Sequence, residues 1–162
     1  MAGGVILGID PGLKGALAFL KPNGEVETFP MPTLKTGKGG TVDETGLARL
    51  LDAWSRDVEF GFVELQWARP TDGGPSAFKV GVNYGIVRMA VAASFIPYEL
   101  VSPQRWKRFM QCPAEKDGAR ALASRLLPRC ADQWRTATRE GRAEAALIAL
   151  YAKRHPIQSE AA

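Results

Sequence analysis

The sequence predicts an α/β domain with a five-stranded mixed sheet and helices on both of its faces. Two observations carry this prediction: three short apolar segments separated by glycine-containing turns open the chain, and helical and strand-like segments alternate after them. With 162 residues, 46% of them hydrophobic, the chain is long enough to enclose one core. We expect a single domain over residues 1–154 and a tail over residues 155–162.

The first three elements are predicted to form an antiparallel meander. Apolar runs over residues 5–9 and 16–20 and an alternating run over residues 25–30 are separated by turn sequences rich in Pro, Asn and Gly. Short turns of this kind join neighbouring antiparallel strands. We expect the first strand to be central in the sheet.

Helical and strand-like patterns follow each other in the rest of the chain. The predicted elements are a loop over 35–40, a helix over 43–56, a strand over 58–65, a helix over 77–93, a strand over 97–101, a short helix ending at 110, a helix over 114–127, an irregular stretch over 128–139 and a helix over 141–153. Gly81 and Gly85 weaken the helix that contains them, so we expect close packing at that point. The order of elements is that of the RNase H-like fold.

Charge is distributed unevenly along the chain. The formal net charge is +4, but residues 101–142 carry ten basic and four acidic side chains. A basic segment of this kind suits contact with phosphate groups, and a solvated basic face without a partner is the alternative.

The sequence argues against a zinc site, a disulfide framework, a signal peptide and a membrane span. Cys112 and Cys130 lie far apart and outside any zinc-binding spacing, so we expect neither a structural zinc nor a disulfide framework. The N-terminus lacks the features of a signal peptide, and no apolar run is long enough for a membrane span. We expect a cytoplasmic protein.

Four acidic residues are candidates for one metal site. Asp10 and Glu64 end two strands that are neighbours in the predicted fold, and Glu140 and Glu144 lie on one face of the last helix. Carboxylates are the ligands that Mg²⁺ and Mn²⁺ prefer, and two such ions can catalyse phosphodiester hydrolysis. Taken singly, each residue has a simpler explanation: Asp10 as part of a turn, Glu64 as a solvated strand end, and Glu140 as a partner of the helix dipole.

The combination of motifs resembles the RuvC Holliday-junction resolvases, especially the compact bacteriophage-type members. The matching stretches are Gly8-Ile9-Asp10-Pro11-Gly12, Val63-Glu64 with Gln66-Trp67, the glycine-bearing helix from Phe78 to Met89, Val101-Ser102-Pro103 with Trp106-Lys107, Glu115-Lys116, and Arg142-Ala143-Glu144-Ala145. Together they extend over nearly the whole predicted domain.

The resemblance implies metal ligation by Asp10, Glu64 and Glu144, with Glu140 nearest to the fourth acidic position. In the family the last two acidic positions lie three residues apart on the helix. Here Gly141 stands three residues before Glu144. The chain therefore departs from the family at its fourth ligand.

The resemblance also implies contacts with DNA. Lys107 and Lys116 match basic residues that approach the scissile phosphate, and Trp67 matches an aromatic residue that stacks on a base. A loop residue that covers the core is the alternative for Trp67. The further predicted DNA-binding residues are Arg69, Arg105 and Arg108.

The implied activity is paired, Mg²⁺-dependent cleavage of four-way junctions by a homodimer, with 5′-phosphate and 3′-hydroxyl ends. Two Mg²⁺ ions are implied, and Mn²⁺ is expected to substitute for them. Two alternatives stay open: a nuclease for a broader range of branched or flap DNA, and a junction-binding protein with a degenerate metal site. A small relative of the actin-like ATPases and sugar kinases is disfavoured, because the chain is too short for the second lobe of that fold.

Overall fold

A computed structural model describes residues 3–37 and 39–155, so the predicted tail lies outside the described residues except for His155. The strands are β1 (Val5–Asp10), β2 (Ala16–Leu20), β3 (Val26–Pro30), β4 (Thr33–Thr36), β5 (Gly39–Val42), β6 (Val58–Glu64) and β7 (Tyr98–Val101). The helices are α1 (Glu44–Trp54), α2 (Gly74–Ala93), α3 (Pro103–Phe109), α4 (Gly118–Leu126) and α5 (Glu140–Arg154). None of the helices in these ranges is both long and apolar enough to cross a membrane.

The main sheet has five strands in the order β3-β2-β1-β6-β7, and β1 is central as predicted. Strands β1, β2 and β3 pair antiparallel as a meander, whereas β6 pairs with β1, and β7 with β6, in parallel. The mixed sheet that the sequence predicts is therefore confirmed.

Helices cover both faces of this sheet because its side chains alternate between two cores. On β1, Ile6 belongs to the core beneath α3, α4 and α5, whereas Leu7 and Ile9 belong to the core beneath α1 and α2. Strand β2 divides in the same way, with Ala18 on the first side and Phe19 on the second. The period of two in a strand places each apolar set on its own face.

Helix α5 lies directly on β1. A Cβ atom at Gly8 would stand 2.3 Å from the carbonyl oxygen of Ala145 and 2.4 Å from the backbone nitrogen of Ala149. Only a residue without a side chain permits this approach. The close contact brings the start of α5 to the edge of the sheet where β1 ends.

The prediction of a loop over residues 35–40 is wrong, because β4 and β5 form an antiparallel hairpin there. Oδ1 of Asn83 on α2 accepts hydrogen bonds from the backbone nitrogen of Val42 and from Oγ1 of Thr41, both at 3.0 Å. Gly37 has a φ of +51° and supplies the turn. This tertiary anchor overrides the low strand propensity of the segment.

Gly81 and Gly85 do not make the expected close packing with any residue that the structure describes. A Cβ atom at either position would meet nothing within 4 Å, and both glycines are exposed. They lie on the outer side of α2, whereas Val87 and Val91 face the core. The glycines therefore weaken the helix without bringing it closer to the described parts of the chain.

The larger differences from the predicted elements are in α2, in α4 and in the segment between α4 and α5. Helix α2 begins three residues early because Pro75 occupies its first turn, a position that tolerates proline. Helix α4 begins four residues late, since Asp117 has a φ of 74° and breaks the preceding turn. Residues predicted as irregular form 3-10 turns over Pro128–Trp134 and Ala137–Arg139, and the buried ring of Trp134 fixes the first of them in the core.

Candidate metal centre and nucleic-acid interface

Asp10 and Glu64 stand side by side at one edge of the sheet. They end the parallel neighbours β1 and β6, which pair through Ile9 and Val63 just before them. The carboxyl ends of parallel strands meet at the same edge. The fold therefore brings together two acidic residues that are 54 positions apart in the sequence.

The first turns of α5 add Glu144 to this edge. The contact of α5 with Gly8 fixes the distance between the helix and the sheet. Gly15 fixes the path of the loop after β1. A Cβ atom at Gly15 would stand 2.1 Å from the carbonyl oxygen of Asp10 and 2.9 Å from its Cγ atom. The loop folds back on Asp10 because position 15 has no side chain.

Gly141 explains why this chain lacks the usual spacing of the last two acidic residues. A Cβ atom at Gly141 would stand 2.4 Å from the carbonyl oxygen of Lys14 and 2.8 Å from Cα of Gly15. Backbone atoms cannot move aside as a flexible side chain can, so no acidic side chain fits at position 141. Glu140 instead lines the same cavity as Asp10 and Glu144.

The negative charge of the cluster is poorly compensated at Asp10. Burial and the neighbouring carboxylates of Glu144 and Glu64 raise the pKa of Asp10 to about 8. The backbone nitrogen of Gly12 donates a hydrogen bond to Oδ1 of Asp10, but at 3.3 Å this contact is long. Asp10 is thus a buried carboxylate that a cation would stabilise.

Glu64 has a different environment. Burial raises its pKa, whereas a hydrogen bond from the indole Nε1 of Trp106 to Oε2 of Glu64, 2.6 Å long, opposes the rise. The side chain of Trp106 is fully buried. One oxygen of Glu64 is therefore held by α3.

Lys107, the next residue on α3, contacts Glu144. Its Nζ atom lies 2.7 Å from Oε1 of Glu144. Burial alone would lower the pKa of Lys107, but the hydrogen bond and charge of Glu144 outweigh it, so the pKa is raised. The lysine is a fixed positive charge beside the carboxylate cluster.

The donor chemistry of the cluster fits a hard divalent cation, because carboxylate oxygens from three separate elements meet at one edge. Within residues 3–37 and 39–155, however, no group of three or more His, Cys, Asp or Glu side chains stands in a metal-holding arrangement. Lys107 engages Glu144 and Trp106 engages Glu64. A bound cation would have to take Glu144 from the lysine.

Two open cavities flank the cluster and share Gly12. The first, about 630 Å³, is lined by Asp10, Glu140 and Glu144. The second, about 520 Å³, runs from Glu64 past Trp67 and Arg69. Trp67 is 55% exposed, so it does not cover the core. Its ring is accessible to a base.

The other basic residues predicted to bind DNA lie elsewhere. Arg105 and Arg108 are exposed and line a cavity on the outer side of α3, beside Tyr151 and His155. Lys116 is exposed in the turn before α4 and lines none of the cavities described for the cluster. Of the basic residues assigned to the scissile phosphate, the structure brings Lys107 alone into contact with the cluster, among the parts of the chain that it describes.

Sequence reasoning missed several residues at the site. The sequence motifs include Trp106 but assign it no role, and no motif indicates Lys79 or Leu13, which line the second cavity. The position of Trp106 beside Lys107 was a usable signal, because a buried indole N–H needs an acceptor. Lys79 had no signal, since its place depends on how α2 crosses the hairpin.

Solved structures that this fold resembles include two of RuvC and one of a mitochondrial Holliday junction resolvase. RuvC of Thermus thermophilus in complex with a Holliday junction substrate is 20% identical over 94% of this chain and 96% of that chain, with a TM-score of 0.60. A second structure of Thermus thermophilus RuvC is 19% identical over 93% of this chain and 96% of that chain, with a TM-score of 0.57. The yeast mitochondrial Holliday junction resolvase is 16% identical over 94% of this chain and 78% of that chain, with a TM-score of 0.54.

No protein-family model and no curated protein matches the chain by sequence, so the likeness rests on the three-dimensional structure. It extends along nearly the full length of the chain. The predicted α/β, RNase H-like fold is therefore confirmed, and with it the resemblance to RuvC at the level of the fold.

Proposed function

We propose that this chain is a divalent-metal-dependent endonuclease that resolves four-way DNA junctions. The observation that carries the proposal is the convergence of Asp10, Glu64 and Glu144 at one edge of a RuvC-like fold, where the pKa of Asp10 rises to about 8. Such a cluster is stable and fully ionised only beside a cation. Burial raises the pKa of both Asp10 and Glu64, and carboxyl groups perturbed in this way are common at functional sites.

In this proposal Asp10, Glu64 and Glu144 hold Mg²⁺, and Glu140, which lines the same cavity as Asp10 and Glu144, is the fourth candidate ligand. Two Mg²⁺ ions, or Mn²⁺ in their place, would supply the activated water and the charge that stabilises the leaving 3′ oxygen. Cleavage then leaves a 5′ phosphate. The negative charges of Glu144 and Glu64 both raise the pKa of Asp10, so Asp10 interacts electrostatically with each of the other two carboxylates.

Lys107 supplies a positive charge beside the reacting phosphate. In the protein without metal its ammonium contacts Glu144, and its place on α3 keeps it beside the cluster when a cation takes that carboxylate. A preplaced charge stabilises negative charge that develops in the transition state without reorganisation at that moment. Lys116, which the resemblance also assigns to the phosphate, would need its turn to move toward the cluster.

Branched DNA would lie along the second cavity, with Trp67 stacked on a base that is not paired. Arg69 is exposed beside it and suits a phosphate contact, and Lys79 lines the same cavity. Arg105 and Arg108 on the outer side of α3 suit a more distant arm of the junction. The basic and aromatic residues thus extend to both sides of the cluster.

A homodimer would match the two-fold symmetry of a four-way junction. The exposed side of α2 is the surface that suits it, because Phe78, Val82 and Met89 are 74%, 42% and 64% exposed beside Gly81 and Gly85. Apolar side chains in a row on an exposed helix indicate a contact surface. Glycines between them allow two helices to approach closely.

Asp10→Asn tests the enzymatic assignment. The variant keeps the shape of the side chain but removes its negative charge, so we expect it to bind a synthetic four-way junction in Ca²⁺ and to cut none in Mg²⁺. Comparison of four-way, flap and linear DNA with the wild-type protein separates a junction resolvase from a broader branched-DNA nuclease. Cutting by Asp10→Asn at the wild-type rate would exclude the proposed site.

Two observations favour a second candidate, a junction-binding protein with a degenerate metal site. Lys107 already neutralises Glu144, and Gly141 leaves no room for an acidic residue at the usual position. This candidate predicts tight junction binding by the wild-type protein without cleavage at any Mg²⁺ or Mn²⁺ concentration. A titration of both metals in the cleavage assay decides between the two.

A further inference from the structure

A fully buried tryptophan binds one of the clustered carboxylates. The indole Nε1 of Trp106 lies 2.6 Å from Oε2 of Glu64, and both residues are buried. An indole N–H is a donor only, so this bond satisfies its single polar group. The bond also occupies one of the two carboxylate oxygens of Glu64.

The helix that carries Trp106 is fixed at its N-terminal end. Oγ of Ser102 accepts a hydrogen bond from the backbone nitrogen of Arg105, and Pro103 lies in the first turn. The ring of Trp106 belongs to the same core as Phe62 of β6 and the inner face of α5. The packing of the ring therefore fixes the orientation of the indole N–H, which points toward Glu64.

We propose that Trp106 is a positioning residue for metal binding, because it fixes the rotamer of Glu64 and leaves Oε1 for the cation. The next residue, Lys107, contacts Glu144, so two adjacent side chains of α3 reach acidic residues from two different elements, β6 and α5. The proposal rests on the function proposed above. It adds that α3 sets the geometry of the carboxylates before metal binds.

A purely structural role for Trp106 makes a different prediction. A core tryptophan that only satisfies its own N–H would affect stability when it is replaced, but would leave the affinity for metal unchanged. Residues that orient a metal ligand change affinity by about 10- to 100-fold when they are removed. Affinity for Mn²⁺, measured without DNA, separates the two roles.

The experiment compares Trp106→Phe with Trp134→Phe by calorimetric titration with Mn²⁺. Trp134 is the matched control, since it is also almost fully buried and its Nε1 donates to Oγ of Ser124 at 3.0 Å, away from the acidic cluster. We expect Trp106→Phe to weaken Mn²⁺ binding by about 10-fold and Trp134→Phe to leave it within about 2-fold of the wild type. Both variants lose a similar ring volume.

A second protein protects the test against misfolding of Trp106→Phe. It carries at position 106 a tryptophan analogue in which sulfur replaces the indole N–H, so the ring keeps its size and loses only the donor. We expect the same weakening of Mn²⁺ binding as in Trp106→Phe. Wild-type affinity in this protein would overturn the proposal, because the donor would then be dispensable.

The outcomes also distinguish this inference from the proposed function. If the wild-type protein binds Mn²⁺ but cuts no DNA, the proposed function fails, and the titrations still decide the role of Trp106. If the wild-type protein binds no Mn²⁺, both fail, since there is no metal for Glu64 to hold. If cleavage occurs and the loss of the indole donor changes no affinity, the positioning role alone is overturned.

Discussion

The Nζ atom of Lys107 lies 2.7 Å from Oε1 of Glu144, within the cluster of carboxylates that also contains Asp10. A lysine and a metal ion at this place compete for the same carboxylate. The protein without metal is therefore stabilised by Lys107, and metal binding has to displace that contact. Removal of the lysine should change metal affinity and catalysis in opposite directions.

Lys107→Met tests this competition. We expect binding of Mn²⁺ without DNA to become about 3- to 10-fold tighter, because a positive charge beside the carboxylates is removed. We expect cleavage of a four-way junction to fall by about 100-fold or more, because a preplaced charge on the phosphate is lost. Calorimetry and single-turnover cleavage measure the two effects.

Lys153→Met is the control for Lys107→Met. Lys153 is exposed in the last turn of α5, nine residues beyond Glu144, which corresponds to about 13 Å along the helix. We expect neither metal binding nor cleavage to change. Weaker metal binding in Lys107→Met would show that the lysine supports the ion rather than competing with it.

The raised pKa of Asp10 predicts how stability depends on pH without metal. Its pKa is about 8 in the folded protein against 3.8 for a free side chain. Between these values the folded state holds a proton that the unfolded state releases, so stability falls as pH rises. The contribution is complete below about pH 4 and is lost as pH rises through about 8.

Asp10→Asn removes this group and should flatten the profile. In EDTA we expect the melting temperature of the wild type, relative to the variant, to decline from about pH 5 to about pH 9. Mg²⁺ should reduce this decline in the melting temperature of the wild type, because the cation compensates the ionised carboxylates. Parallel melting profiles of the two proteins in EDTA would contradict the assigned shift.

The sheet was predictable because its information is local. Apolar runs separated by Pro-Gly and Asn-Gly turns define β1, β2 and β3, and the order of elements then fixes their neighbours. The β4–β5 hairpin was not predictable, since its stability depends on hydrogen bonds to Asn83, a residue of α2 that lies more than 40 positions further along the chain. Glycine-rich strands carry no signal of such an anchor.

At the candidate site, too, some features could be predicted from local sequence and others depend on tertiary packing. Strand ends placed Asp10 and Glu64 at one sheet edge from the sequence alone, whereas the exclusion of a side chain at Gly141 depends on the backbone of Lys14 and Gly15. The contacts of Trp106 and Lys107 depend on where α3 packs. Pattern reasoning identifies which groups are available, and packing decides which of them meet.

Gly141→Asp tests whether the missing acidic position can be restored. The added Cβ atom would stand 2.4 Å from the carbonyl oxygen of Lys14, so we expect a loss of unfolding free energy of about 1–3 kcal/mol or more and no gain in cleavage. Chemical denaturation and the junction assay measure these effects. A stable variant with faster cleavage would show that the loop yields and accepts a fourth ligand.

The same substitution at Gly73 is the control. Gly73 is the N-cap of α2, and a Cβ atom there meets nothing within 4 Å. Aspartate is a favoured N-cap residue, so Gly73→Asp should keep or slightly raise stability. A similar loss in both variants would show that the added charge, and not the lack of space at position 141, is responsible.

Gly85→Arg tests the proposed dimer surface on α2. Gly85 is exposed between Val82 and Met89, so the change should leave the monomer folded and place a charged side chain in the contact. We expect the variant to sediment as a monomer at concentrations where the wild type is a dimer. Ala53→Arg, on the exposed side of α1, is the control and should leave the dimer intact.

Loss of the dimer should change the products of the reaction rather than the chemistry of each cut. Two symmetric cuts within one bound complex convert a cruciform plasmid directly into a linear molecule, whereas independent cuts leave a nicked circle first. We therefore expect nicked circles to accumulate with Gly85→Arg, while nicking by each monomer continues. A wild-type protein that sediments as a monomer, or a variant that stays dimeric and still gives linear product, would show that the exposed side of α2 is not the contact.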